Sequence, residues 1–274
     1  GVQSRFLCAL VTKAWRRGRV DGVVQSTDKN FLVPVGGAVV VSPAKNGALT
    51  DAVRKNYPGR ASIAPALDVL ITLLSLGKNG WREALEKRED AFEYMRERLR
   101  FTAEAHGERL LETPGNPISM GVTLSALERD LARIESGEAR RDGRGDGDEN
   151  ENDKADANEP TTPTRRTRKT SVSFFGSMLF SRAVSGTRVV VPGKTQEVGG
   201  ITFCGFGASH DAYPVPYFTA AAALGTTRED VDAFCARLAR AFTDFRKKAK
   251  KEAARNRSEK NVSARASGAE NGAE

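Results

Sequence analysis

Hydrophobic positions along this chain follow two rhythms. Spacings of three and four recur at Phe6, Leu7, Leu10 and Val11, at Leu67, Leu70, Ile71 and Leu74, at Leu85, Phe92, Met95 and Leu99, and at Val231, Phe234, Leu238, Phe242 and Phe245. Each stripe puts its apolar side chains on one face of a helix. The first ends at Arg16-Arg17-Gly18-Arg19 and the second at Gly77, a residue suited to stopping a helix. Thr226 with Glu229 three positions later predicts a capping box at the start of the last helix. Shorter apolar runs predict strands: a buried one over 20–26, then 34–42 with Gly36-Gly37 inside it, 118–124, 178–184, 187–192 and 201–206. No repeat is visible. An α-then-β opening followed by helix–strand–strand–helix predicts an α/β protein, the C-terminal part of a large α/β domain plus a small α+β domain.

Charge changes this picture in two places. From Asp142 to Glu159 there are eight acids against Arg144 and Lys154, amid Gly and Asn and with no apolar period. Such a segment buries too little to offset its ordering entropy, which predicts a disordered insertion over about 137–172. It ends in Arg165-Arg166-Thr167-Arg168-Lys169, a run that could touch RNA or simply balance the preceding acids. From Arg246 to Arg265 nine basic residues face only Glu252 and Glu259. Most of the excess charge of +8 therefore lies there, and it makes a polyanionic partner worth considering. Beyond about Asn256 the composition predicts disorder, so 251–274 reads as a basic tail. The resulting division is 1–80 for the large-domain part, 81–136 and 173–250 for the small domain, with the insertion and the tail outside both.

Length and composition exclude other classes. At 274 residues and 39% hydrophobic, the chain can bury a real core. Cys8, Cys204 and Cys235 are odd in number and scattered, which excludes a disulfide scaffold and suits a reducing compartment. Two histidines, His106 and His210, and no paired-Cys spacing argue against structural zinc. No apolar run reaches the roughly 18 residues of a membrane span, and the opening is not a signal peptide. A soluble, cytoplasmic protein with no membrane partner is expected. The absence of Met at position 1 and the helix-like opening lead us to expect a fragment.

The stretch richest in chemistry is Gln25-Ser26-Thr27-Asp28-Lys29-Asn30-Phe31. Lys29 is a single long cation between two apolar runs, which suggests the end of a buried strand. Burial lowers an ammonium's pKa and makes the amine nucleophilic enough for Schiff-base chemistry. Asp28-Lys29-Asn30 is equally good turn composition, so a solvated turn lysine is the plainer reading. Gly36-Gly37 would let backbone approach a ligand closely. Tyr57-Pro58-Gly59-Arg60 fixes a guanidinium, the planar fork suited to phosphate, after a rigid turn.

Together these words resemble the O-phosphoseryl-tRNA(Sec) selenium transferase family. The resemblance is carried by Arg19-Val20-Asp21, the Lys29 stretch, Val33-Pro34-Val35-Gly36-Gly37-Ala38, Tyr57-Pro58-Gly59-Arg60-Ala61-Ser62 and the run from Leu67 to Gly77. It continues through Glu108-Arg109-Leu110-Leu111, Asn116-Pro117-Ile118-Ser119, Gly176-Ser177-Met178-Leu179-Phe180 and Val184-Ser185-Gly186-Thr187-Arg188-Val189-Val190. It covers most of the chain from Arg16 to Lys248 outside the insertion. The other departure is a slightly longer link between Gly37 and Tyr57.

The resemblance implies a fold type I pyridoxal-phosphate-dependent transferase working as a homotetramer. It implies that Lys29 is the catalytic lysine that binds pyridoxal 5'-phosphate. Arg60 would grip the substrate's phosphoryl group, and Arg16, Arg182 and Lys247 would contact tRNA. The implied reaction turns O-phosphoseryl-tRNA(Sec) into selenocysteinyl-tRNA(Sec), with phosphate eliminated and selenophosphate supplying selenium. With Lys29 so near the start, the cofactor's phosphate cup, its ring-stacking group and the acid for its pyridine nitrogen would all lie upstream, leaving this stretch inactive alone. Two other readings stand beside it: a pyridoxal-phosphate lyase or transferase for a small molecule, and a non-catalytic tRNA-binding subunit.

Several features carry less. His210 could face a site or be an ordinary loop residue. Gly199-Gly200 and Gly205-Phe206-Gly207 lack the setting of a dinucleotide loop and read as turns. Phe174-Phe175 reads as re-entry into the core rather than a base-stacking platform.

Overall fold

The computed structural model describes residues 5–34, 36–43, 47–57, 62–136, 171–208, 210 and 213–270. Its elements are α1 (Arg5–Arg17), β1 (Val23–Ser26), α2 (Thr27–Asn30), β2 (Ala38–Val41), α3 (Ala48–Asn56), α4 (Ala64–Ala105), β3 (Ser119–Thr123) and α5 (Ser125–Ser136). They continue with α6 (Phe174–Phe180), β4 (Arg188–Val190), β5 (Gln196–Val198), β6 (Ile201–Phe203), β7 (Tyr217–Ala221) and α7 (Arg228–Glu270). The chain forms two compact units, one of Gly1–Arg98, Glu112–Met120 and Ala220–Ala233, the other of Leu99–Leu111, Gly121–Thr219 and Phe234–Glu274.

In the first unit, β1 and β2 pair antiparallel from Val23↔Val41 to Ser26↔Ala38. The helical stripe ending at Gly77 is real: Gly77 sits at φ 60°, ψ −175° and breaks α4 there. No side chain crowds this glycine; its positive φ is what a Cβ would resist. Beyond the break, α4 buries Leu85, Ala91, Phe92 and Met95. Arg88 is buried with them and donates from Nη1 to the Pro117 carbonyl at 2.9 Å, tying the turn before β3 to this helix. Burial pulls its guanidinium below its ordinary pKa, and Glu89 partly restores it.

The second unit contains a denser core. Phe175, Phe218, Phe242 and Phe245 are all essentially inaccessible. Phe175 is central among them, with ring centroids 4.8 Å from Phe242, 5.9 Å from Phe245 and 6.3 Å from Phe218. Their sheet has the order β3–β7–β4, with β4 antiparallel to β7 in the register Val189↔Phe218. Glu108 is buried and fully used: Oε2 accepts from the Thr123 hydroxyl at 2.7 Å and Oε1 from the Leu127 amide at 2.8 Å. The latter satisfies one of the orphan donors at the start of α5. Hairpin β5–β6 closes through Gly199-Gly200, the turn expected there.

The structure departs from the sequence pattern at several points. Residues 178–184, expected as a strand, are the end of α6 and a turn; Phe175, Met178 and Leu179 are buried at helical spacing. The expected buried strand over 20–26 is shorter, and Val24 is 65% exposed. The capping box lies one residue later than predicted. The Thr227 hydroxyl accepts from the Asp230 amide at 3.2 Å while Asp230 accepts from the Thr227 amide at 3.0 Å. These bonds hold the Asp230 carboxyl below its usual range. Finally, α7 runs to Glu270 where disorder was expected beyond Asn256; residues 256–267 contain neither Pro nor Gly to stop it. Residues 137–170 of the expected insertion lie outside the described residues, and Val172 at its edge is already core. Among the described residues no helix is long and apolar enough to cross a membrane.

Candidate functional site

Lys29 does not occupy the buried strand end expected from its apolar flanks. It is exposed, on the one-turn helix α2 that directly follows β1. The reason lies in Thr27. Its amide donates to the Gly37 carbonyl at 3.0 Å, and its hydroxyl accepts from the Gly37 amide at 2.8 Å. Thr27 and Gly37 thus extend the β1–β2 ladder by one pair, and Thr27, not Lys29, is the buried residue. The chain then turns: the Phe31 amide donates to the Thr27 carbonyl at 2.9 Å, and Asn30 Nδ2 donates to the Ser26 carbonyl at 2.7 Å. Phe31 stacks on Trp81 with centroids 6.1 Å apart, and Val33 enters the core.

The glycines serve this turn. A Cβ on Gly37 would lie 2.6 Å from Pro65 Cβ, and one on Gly36 would lie 3.3 Å from Asp28 Cγ. The absence of side chains at Gly36-Gly37 therefore permits a close approach between parts of this chain. What results is a primary amine presented to solvent on a backbone fixed at both ends. The exposed amine lacks the desolvation that the buried strand end was expected to provide for Schiff-base chemistry. Arg60 lies outside the described residues. Arg16, in the last turn of α1 in the same unit, is exposed.

In the second unit the structure brings Arg182 and Lys247 together. Arg182 follows α6; its Nη1 donates to the Met178 carbonyl at 3.0 Å and its Nη2 to Asp244 at 2.6 Å. Asp244 precedes Lys247 by three residues on α7, so the two cations share one stretch of helix surface. Lys247 is exposed, as are Lys250, Lys251 and Arg255 further along α7. The charge count alone overstated this surface. Arg246 is committed to Asp130 at 2.6 Å and to the His106 carbonyl at 2.9 Å, and Arg257 donates to the Ile134 carbonyl at 2.9 Å. Arg246 Nη1 also lies 3.3 Å from His106 Nδ1, and His106 stacks on Phe242. Burial and the neighbouring guanidinium push the His106 imidazole below its ordinary pKa. His210 is exposed.

Sequence reasoning missed Thr27, although a hydroxyl between a strand and Asp28 was the available signal. It also missed the Arg182–Asp244 pair, for which spacing gives no hint because the partners are far apart in the chain.

Comparison with known proteins adds an independent line. The sequence profile of the family described as O-phosphoseryl-tRNA(Sec) selenium transferase, SepSecS, matches residues 1–138 and 132–243. A curated O-phosphoseryl-tRNA(Sec) selenium transferase of Dictyostelium discoideum is 37% identical over 245 residues, which is 88% of this chain and 46% of that protein. One from Caenorhabditis elegans is 31% identical over 253 residues, 92% of this chain and 44% of that protein. The chain thus spans a little under half the length of these relatives. The crystal structure of an archaeal O-phosphoseryl-tRNA(Sec) selenium transferase is similar with a TM-score of 0.57 at 22% identity, covering 87% of this chain and 42% of that one. The mixed α/β fold is accordingly of that kind.

Proposed function

The chain belongs to the O-phosphoseryl-tRNA(Sec) selenium transferase family, and from that premise we propose that it is the lysine-bearing, tRNA-contacting part of a fold type I, pyridoxal-phosphate-dependent selenotransferase. The observation that carries the reading is the position of Lys29, an accessible amine on a turn locked by Thr27 and Gly37. Bound pyridoxal 5'-phosphate supplies the electron sink that makes the α-proton of an amino acid removable. Lys29 would hold that coenzyme covalently through Nζ. Its Nζ would also be the base that accepts the α-proton of the substrate.

The remaining residues bind and orient. Arg60 holds the phosphoryl group of the phosphoseryl moiety and stabilises the charge it carries away. Selenophosphate then supplies the selenium that replaces phosphate on Cβ, yielding selenocysteinyl-tRNA(Sec). Arg16, Arg182 and Lys247 track the phosphodiester backbone of tRNA(Sec), and the Asp244 pair fixes the Arg182 guanidinium for that task. The working assembly is a homotetramer in the cytoplasm. The upstream portion present in the relatives supplies the rest of the cofactor pocket, and this chain by itself is inactive.

The test is reductive trapping. The longest product of the gene is loaded with pyridoxal 5'-phosphate, reduced with borohydride and mapped by peptide mass. The adduct is expected on Lys29 and absent from Lys29→Ala, whose circular dichroism stays native. An adduct elsewhere overturns the reading. A second reading, a non-catalytic tRNA-binding subunit, draws on the exposure of Lys29; it requires salt-sensitive tRNA binding without any adduct. An adduct without tRNA binding points instead to a small-molecule substrate.

A further inference from the structure

Of the pair Phe174-Phe175, expected to re-enter the core, only Phe175 does. Phe174 is 45% exposed at the start of α6, a large ring left in water beside a densely packed core. Three contacts place it. Arg237 Nη1 donates to the Ala183 carbonyl at 3.0 Å, Arg182 Nη2 donates to Asp244 at 2.6 Å, and Lys248 Nζ lies 4.3 Å from the centroid of the Phe174 ring. Positions 237, 244 and 248 climb α7 in steps of seven and four while 183, 182 and 174 descend. One ridge of α7 therefore runs antiparallel along the segment that holds α6.

That ridge joins an aromatic ring to the cations of this unit. Lys248 lies four residues past Asp244, which holds Arg182, and directly follows Lys247; both lysines are exposed, as is Lys251 three residues on. A row of ammoniums supplies a salt-sensitive grip on phosphodiester oxygens, whatever their sequence. The ring adds what such a row lacks, a flat apolar surface on which a base outside a duplex can stack. The attraction of an ammonium for an exposed ring is modest, so a phosphate arriving at this ridge competes for Lys248 readily.

We propose that Phe174 and Lys248 form a subsite for one unpaired nucleotide of tRNA. The base stacks on the Phe174 ring, and the Lys248 ammonium leaves the ring for the phosphate joined to that nucleotide. The two contacts differ in kind. Lys248 answers to charge and is indifferent to pairing, whereas Phe174 requires a base outside a duplex. The subsite thus distinguishes an RNA with an unpaired segment from a fully paired one. It rests on the tRNA role proposed for Arg182 and Lys247 and adds a selective element to it.

The test measures how salt affects the binding of labelled tRNA(Sec) and of a blunt-ended RNA duplex to the longest product of the gene. Lys248→Gln is expected to lower the slope of log affinity against log salt by about 1 on both RNAs. Phe174→Ala is expected to weaken tRNA binding about tenfold at an unchanged slope and to leave duplex binding as it was, while Phe174→Trp binds tRNA at least as tightly as the native protein. Both side chains are exposed, so native circular dichroism is expected of all three variants. An equal loss on both RNAs, or none, in Phe174→Ala overturns the stacking role; an unchanged slope in Lys248→Gln overturns the phosphate contact. Failure of the native protein to bind tRNA in a salt-sensitive way removes the tRNA reading itself, whereas a slope lowered in Lys247→Gln alone keeps that reading and removes this subsite.

Discussion

Residues 7–84 and 85–250 are built on opposite terms. In the first stretch only Thr27 and Val33 are buried among the described residues, while the face formed by Leu67, Leu70, Ile71 and Leu74 is 45–73% exposed. In the second, apolar side chains at helical spacing disappear almost completely from solvent, and Phe175 alone stands against three other rings. Both stretches carry equally clear hydrophobic periodicity. Periodicity therefore reports what a segment is made to bury, not what it buries within this chain. An apolar face of this extent left open is characteristic of an interface.

Four substitutions or conditions would break or sharpen this contrast. The largest effect is expected from Phe175→Ala, which should cost about 3–5 kcal/mol in urea unfolding followed by circular dichroism. A much smaller loss would mean that the aromatic core is loosely packed. Next comes Gly37→Ala, whose new methyl must displace Pro65; about 1–3 kcal/mol is expected, together with faster amide exchange at Phe31 as the Lys29 turn loosens. Unchanged exchange there would show that the ladder does not hold the turn.

Acidification probes the second stretch more gently. The His106 imidazole has a folded pKa below its ordinary 6.5, so the unfolded chain binds its proton first. Stability is complete above that ordinary value and is lost as the pH falls through it towards the lowered folded value. His106→Gln should flatten this part of a pH–stability curve, and an unchanged slope would remove His106 from the account. The smallest effect is expected from Leu70→Ala. On an open face it should shift unfolding by no more than about 0.5 kcal/mol; a cost near that of Phe175→Ala would mean that the face is covered.

The same contrast explains what could be read from sequence. The helices of 67–76, 85–99 and 231–245 were legible because three-to-four spacing is local information, and Gly77 marked its break correctly. Residues 178–184 were misread because a short apolar run fits strand and helix alike. The capping box slipped by one residue since Thr226 and Thr227 both precede an acid at suitable distance. For Lys29, the flanking apolar runs suggested burial, but the hydroxyl of Thr27 took the inner position and turned the lysine outward. Helix α3, with no deeply buried residue, left no strong pattern to find. The pairing of Arg182 with Asp244 depends on the tertiary fold and no spacing rule contains it.

The continuation of the hairpin through Thr27 and Gly37 also separates aim from delivery. The backbone of Lys29 is anchored to the strands on either side by bonds the hairpin supplies itself, so its bearing does not wait on whatever molecule or polypeptide approaches from outside. On the proposed role of Lys29, a variant remote from this hairpin that slows turnover would act on how a reactant arrives, while the Lys29 backbone stays where the ladder has set it.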